Sequence, residues 1–314
     1  MKAVVYSKKA SPERLVYCDV DKPVPNDNEV LIKVRAVSPN AADYRSMKMG
    51  IIPKRKIFGA DIAGRVESAG RNITQLKPGD EVMGDLAGYG FGGFAEYVTA
   101  PEKALIIKPG EISFEEGACI PISALTALQA LRDKGSIQQG QKALIVGSAG
   151  GVGTFAVQLA KYFGAEVTGV CSPGNVEQTR SLGADHVIDY TKENFTENDK
   201  KYDIILAVNG NYPFIAYKKA LTPNGIYVMV GGSLSQIFKS LAFGWLMSMG
   251  SKKMRSLSAK ANQADLEFLA NLVKEGRIRP VIERHYPLEK TADAMSFLSK
   301  VHAKGKVVIL VESK

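Results

Sequence analysis

Over the first hundred residues, apolar positions come in short runs of β character. They are KAVVY (2–6), RLVYCDV (14–20), EVLIKVRAV (29–37), GRVESAG (64–70), DEVMGDL (80–86) and GGFAEYVTA (92–100), broken by turn sequences such as KPVPNDN and LKPGD. They predict a partly closed antiparallel barrel. From about Phe114 the spacing changes: SFEEGACIPISALTALQALRD has helical periodicity, with Ser113 as its cap. Strand candidates then alternate with helices: KALIV (142–146), EVTGV (166–170), HVIDY (186–190), DIILAV (203–208) and IYVMVG (226–231). Runs rich in Val and Ile separated by helices predict a parallel, doubly wound sheet. After about Arg279 the chain reads as strand, helix and strand, a tail expected to return to the first domain. The predicted division is 1–113 with 280–314 as one discontinuous domain, and 114–279 as the other.

Length and composition agree with two domains, since 314 residues with 45% hydrophobic and 23% charged content describe a globular chain able to build full cores. The apolar runs fall well short of the roughly 20 residues that span a bilayer. The opening MKAVVYSKKA reads as a strand and turn without a signal-peptide core, so a cytoplasmic location is expected. Cys18, Cys119 and Cys171 are too scattered for a disulfide framework or a Cys-rich zinc site. The net charge of +9 suits nucleic acid, anionic lipid or a phosphorylated cofactor, but the basic residues are dispersed as on a solvated surface.

Segment 234–260 is ambiguous. Apolar bulk that includes Trp245 precedes Lys252, Lys253 and Arg255, which admits a membrane-surface helix; Gly244 and Gly250 favour a pocket wall or subunit contact instead.

The sharpest local signal is GSAGGVG (147–153), between the KALIV strand and the helical TFAVQLAKYFGA. Glycines at a strand-to-helix turn permit positive φ, let a diphosphate approach closely, and aim free amides and the helix dipole at its charge. Ser148 stands where G-x-G-x-x-G would have its first glycine, and a Gly-rich turn alone also serves purely structural ends; the flanking strand and helix favour dinucleotide binding. The candidate contacts are Ser148, Ala149, Gly150, Gly151, Val152 and Gly153. A carboxylate ending the next strand would select NAD, whereas this chain reads Val170-Cys-Ser-Pro-Gly-Asn175. Ser172 and Asn175 are hydrogen-bond donors there, Arg180 is either a phosphate ligand or an ordinary surface charge, and Tyr190 is placed to stack on adenine. NADPH is expected over NADH.

The sequence as a whole resembles the medium-chain dehydrogenase/reductase superfamily, and within it the zinc-free quinone oxidoreductase-like branch. The likeness rests on MKAVVY, SPNAADYRSMKMG, FGADIAGRVESAG, LKPGDEVMG, GGFAEYV, GSAGGVGTFAVQLAK, LGADHVIDY and GKVVILV. It implies an α/β chain made of a GroES-like barrel domain and a Rossmann domain, with substrate in the cleft between them. Where zinc-dependent relatives carry Cys and a His-Glu pair, this chain has Asn40 and Ala60-Asp61, so no zinc is expected. By the same resemblance Asn40, Asp43, Tyr44 and Arg45 lie beside the nicotinamide: Tyr44 as hydrogen-bond or proton donor, or else a structural tyrosine, and Asn40 orienting substrate or ribose. Asp43 would brace its segment through an ion pair, and Asp61 would be structural. Thr126, Asn209, Gly231, Gly232 and Lys306 complete the expected cofactor contacts.

Hydride delivery without a Lewis acid suits an acceptor already polarised by conjugation. The expected activity is therefore NADPH-dependent reduction of a quinone or α,β-unsaturated carbonyl, by a homodimer joined through the IYVMV strand. The alternatives are an enoyl-thioester reductase and, from another class, a cofactor-fold protein that binds RNA or a membrane surface without catalysis.

Overall fold

The computed structural model describes residues 1–6, 15–209, 212–231, 250–300 and 304–311. They form two compact units, Met1–Leu125 with Ala261–Lys314, and Thr126–Lys260.

The first unit opens with an antiparallel ribbon of β1 (Lys2–Tyr6) and β2 (Leu15–Asp19). The ten-residue β3 (Glu29–Ser38) follows, then α1 (Ala41–Lys48), β4 (Asp61–Ala69), β5 (Glu81–Asp85), β6 (Tyr97–Pro101), β7 (Leu105–Ile107) and α2 (Phe114–Cys119). Helix α3 (Pro121–Gln129) carries the chain out of this unit. In the second unit, β8 (Lys142–Val146), α4 (Gly151–Tyr162), β9 (Glu166–Cys171), α5 (Val176–Ser181), β10 (His186–Asp189), β11 (Tyr202–Ala207), α6 (Phe214–Ala220), β12 (Leu221–Met229) and β13 (Lys253–Ser256) follow. The chain returns to the first unit as α7 (Gln263–Lys274), β14 (Ile282–Pro287), α8 (Thr291–Lys300) and β15 (Lys306–Leu310).

The long β3 organises the first unit. It pairs antiparallel with β4 along one edge, and with β6 and then β15 along the other. Ile309 of β15 pairs with Val37, so β15 is built into the same sheet as β3. Val34, Ile62, Phe58 and Phe94 are fully buried in its core, each such side chain contributing about 1.5–3 kcal/mol. The unit boundaries differ from the predicted 113 and 280 for a packing reason: α2 lies on β3, β4, β5 and β15, and α7 on β7. Helix α2 begins where Ser113 was expected to cap it. Its Oγ accepts from Glu116 N at 3.1 Å, and its own amide donates to Glu116 Oε2 at 3.0 Å.

The second unit holds a parallel sheet ordered β10-β9-β8-β11-β12-β13. Both faces are covered, as the nearly continuous burial of β8, β9 and β11 requires. The strand expected to join two subunits, IYVMV, belongs to β12 and lies between β11 and β13. Its edge is therefore consumed, and among the described residues the outermost strand on that side is β13. Among the described residues no helix is long and apolar enough to cross a membrane. Of segment 234–260, residues 234–249 with Trp245 lie outside the described residues, as does Gly232.

The glycines between β8 and α4 differ in what they do. Gly147 has φ +87°, and a Cβ there would meet the Asn209 backbone at 2.9 Å. A Cβ on Gly153 would lie 2.1 Å from Gly147 O, so this glycine lets the helix press against the strand end. A Cβ on Gly150 would meet nothing within 4 Å. Gly153→Ala is therefore expected to lower stability to urea by about 1–3 kcal/mol through overpacking. Gly150→Ala, at the helix N-cap, should cost about 1 kcal/mol or less; equal losses would contradict this division of roles.

Candidate active site

The bend of the second unit is held by a repeated backbone device. Val170 O accepts from the amides of both Gly147 and Ser148, Val146 O from Val208 and Asn209, and Ala207 O from Val230 and Gly231. Each strand-end carbonyl thus anchors the loop leaving the neighbouring strand. The amides of Ser148, Asn209 and Gly231 are spent in this way, against the expectation that Ser148 would offer one to a phosphate. Its side chain turns inward as well: Ser148 is fully buried, with Oγ donating to Val170 O at 3.2 Å and 3.3 Å from Thr179 Oγ1.

An anion is left with the first turn of α4, where Gly151, Val152 and Gly153 have no carbonyl one turn back within the helix. With Ala149 and the open space above Gly150, these amides form a cradle at the positive end of a twelve-residue helix. The residues present fit a diphosphate. Thr154 N already closes on Gly150 O at 2.9 Å, which sets the limit of the cradle.

At the end of β9, Ser172 and Asn175 are joined, Asn175 Nδ2 donating to Ser172 Oγ at 2.9 Å. Asn175 is buried and its Oδ1 has no partner among the described residues. Arg180 is exposed and pairs with Glu177 at 2.7 Å, one turn before it on α5. Tyr190 follows β10 with its ring exposed and its amide on Cys171 O at 3.2 Å. The only carboxylate on these strand ends, Asp189, is occupied by Thr191 N at 2.9 Å and Thr191 Oγ1 at 2.7 Å. Thr126 is buried on α3.

The first unit contains a second cluster, at the start of α1. Lys306, expected near the cofactor, is 3% exposed and points into this unit's interior. Its Nζ donates to Asn40 Oδ1 at 2.6 Å and Ser123 Oγ at 3.0 Å, and lies 3.6 Å from Asp61 Oδ2. Asn40 Nδ2 donates to Ser38 O at 3.0 Å and Asp61 Oδ2 at 2.8 Å. Both amide hydrogens and the carbonyl oxygen of Asn40 are thus engaged inside the protein, which leaves it no free donor for a substrate. Asp61 also accepts from Ile122 N, in the first turn of α3, at 3.1 and 3.2 Å. The oxygens around the ammonium come from an amide, a carboxylate and a hydroxyl; neither thiolate nor imidazole is among them. Among the described residues no group of three or more His, Cys, Asp and Glu is arranged to hold a metal ion.

Asp43 braces α1 through backbone amides, not through the expected ion pair. One oxygen accepts from Asn40 N at 2.8 Å, the other from Gly59 N at 3.1 Å. Burial pushes the Asp43 carboxyl up to about 6 against those two donors. Burial likewise raises Asp61 well above the usual carboxylate range, with the Lys306 ammonium the main opposing influence, and raises Asp85. Tyr44 is half-buried, its ring packed on the core and 4.6 Å from Lys48 Nζ. Among the described residues nothing hydrogen-bonds its hydroxyl. Arg45, its neighbour on the helix, is also half-buried.

Sequence reading missed Ser123 and the inward turn of Lys306. A signal existed for α1 itself: Asn40-x-x-Asp43 has the spacing of a helix-start motif. Nothing in the sequence announces that residues 40, 61, 123 and 306 meet.

Residues 26–110 match the alcohol dehydrogenase GroES-like domain, and residues 182–309 match the zinc-binding dehydrogenase domain. The chain is 36% identical to the chloroplast envelope quinone oxidoreductase homolog of Arabidopsis thaliana, over 94% of its own length and 93% of the relative's. It is 33% identical to the 2-methylene-furan-3-one reductase of Solanum lycopersicum, over 98% and 79% of the two lengths. The solved quinone oxidoreductase of Coxiella burnetii matches with a TM-score of 0.89 at 30% identity, covering 99% of each chain. With a GroES-like unit and a Rossmann-like parallel sheet in one chain, and likeness over nearly all its length, the protein belongs to the medium-chain dehydrogenase/reductase superfamily, in its quinone oxidoreductase-like branch.

Proposed function

We propose that the protein is a zinc-independent oxidoreductase that takes hydride from NADPH and delivers it to a quinone or an α,β-unsaturated carbonyl. The observation that carries this reading is the Lys306 ammonium seated among Asn40, Asp61 and Ser123. Those residues hold a cation of the chain's own, and their hard oxygens differ from the thiolate and imidazole donors zinc favours. With Lewis-acid polarisation unsupplied by this donor set, conjugation in the acceptor supplies the electrophile. The names of the relatives, a quinone oxidoreductase homolog and a furanone reductase, agree with that class.

When bound, the nicotinamide dinucleotide supplies the hydride. The first-turn amides of α4 hold its diphosphate. Ser172, Asn175 and Arg180 stand for the 2′-phosphate, Arg180 giving up its exposed pair with Glu177, a surface contact of little net worth. No carboxylate stands at the end of β9 to receive a free 2′-hydroxyl. In the first unit, the Tyr44 hydroxyl is a donor on α1 with no partner among the described residues: it hydrogen-bonds the acceptor's carbonyl oxygen as charge develops there and passes a proton to it.

The direct test is oxidation of NADPH and NADH against quinones, enones, enoyl thioesters and saturated ketones. Turnover is expected with the conjugated acceptors and faster with NADPH; turnover of saturated ketones alone would refute the assignment. Tyr44→Phe should lower kcat about 100-fold or more while leaving the KM for the dinucleotide unchanged. Arg180→Ala should raise the KM for NADPH about tenfold and leave that for NADH unaltered. An unchanged NADPH KM would remove Arg180 from the site.

A further inference from the structure

A lysine buried as deeply as Lys306 is stable only if its charge is fully partnered, because desolvation of an unpaired ammonium costs several kcal/mol. An ammonium has three hydrogens, and Lys306 faces three oxygens: Asn40 Oδ1, Ser123 Oγ and Asp61 Oδ2. Each belongs to a different element. Asn40 precedes α1, Asp61 opens β4, and Ser123 lies near the start of α3, while Lys306 itself starts β15. Ser38 Oγ donates to Val307 O at 2.8 Å and adds a second tie between β15 and the approach to α1.

All these contacts converge on the start of α1. Asn40 O accepts from Tyr44 N at 3.4 Å, so Tyr44 lies one turn beyond the residue that Lys306 grips. An apolar residue at 306 would leave the Asn40 carbonyl with only the weak Ser123 contact at 3.4 Å, and the Asp61 carboxylate without its counter-charge.

We propose that Lys306 is a positioning residue for the acceptor-binding helix: its ammonium fixes the start of α1, and with it the place of the Tyr44 hydroxyl, and it does not bind the dinucleotide. This rests on the reading of Tyr44 given above. The cation acts through Asn40 and touches neither acceptor nor cofactor.

Lys306→Met, which keeps the length of the stem and removes the charge, is compared with Lys306→Arg and the wild type well below their melting temperatures. Misplacement of Tyr44 should lower kcat in Lys306→Met about 100-fold. Lys306→Arg, which retains the charge, should recover about tenfold of that loss. Dissociation constants for NADPH and NADH, read by fluorescence titration without acceptor, should stay within about twofold of wild type, since no contact to the dinucleotide is removed. Hydrogen exchange of the α1 amides should accelerate about tenfold or more, with those of α4 unaffected.

An unchanged kcat in Lys306→Met would overturn the proposal, as would a dinucleotide affinity lost along with it, or exchange rising equally in α1 and α4. If Lys306→Met does not fold, Ser123→Ala removes one of the three acceptors more gently. Its kcat should then fall about tenfold at unchanged dinucleotide affinity, and an unaltered kcat would again overturn the idea. If the wild type reduces neither quinone nor enone, the functional reading fails by itself, while exchange in α1 still decides the role of Lys306.

Discussion

A charge taken out of water must find its partners within the protein, and in the first unit two ammoniums, Lys108 and Lys306, are buried in this way; Lys306 is the one at the start of α1. Asp43, Asp61 and Asp85 are all carboxyls raised by burial, and the Lys306 ammonium opposes the rise in each. Without the lysine, Asp61 would be left to the Asn40 amide and the Ile122 N–H. The architecture follows from this need. Position 306 stands beside position 40 because β15 returns to the sheet that holds β3. The antiparallel register of Ile309 with Val37 makes a discontinuous domain a consequence of the electrostatics as much as of the strand pairing.

The second unit solves a different problem with neutral groups. Parallel strands that end together leave backbone amides at their carboxyl ends, and buried amides must be satisfied. Three strand-end carbonyls, Val146, Val170 and Ala207, take two amides each. This fastens the loops that follow β8, β11 and β12, and leaves the amides at the start of α4 without a carbonyl one turn back. The anion cradle at Gly151–Gly153 is therefore what remains after the sheet has consumed the other donors. Gly153 is fixed by the approach of Gly147 O, whereas Gly150 faces open space, so a glycine required by packing and a glycine free of it can be told apart.

How much of this could be read from sequence depends on the range of the interaction. Strands β8 to β12 of the second unit and the cap at Ser113 were legible because side-chain periodicity and capping act over a few residues. Strands β7 and β13 were not, since LII and KMRS are too short to show a period and are strands only because β5 and β12 supply partners. The glycine bend was legible as a motif, but the fate of the Ser148 amide was not, because it depends on Val170 in another strand. Asn40 and Lys306 were each singled out from the sequence, and the fold joins them to one another. Their types and positions lie in the sequence; that each answers the other, across the whole length of the chain, is a property of the fold.

A tethered ammonium also differs from a metal ion in the chemistry it permits. Lys306 donates hydrogen bonds to two of the chain's own oxygens, Asn40 Oδ1 and Ser123 Oγ, and lies 3.6 Å from a third, Asp61 Oδ2, in the interior of its unit. Its charge is spent in holding the protein. For the proposed reaction, polarisation of the acceptor then falls to a neutral donor, the Tyr44 hydroxyl, and to the acceptor's own conjugation. A saturated carbonyl offers little of the latter. On this reading selectivity for conjugated acceptors needs no dedicated pocket wall; it follows from placing a cation where it can organise α1 but cannot reach the reacting oxygen.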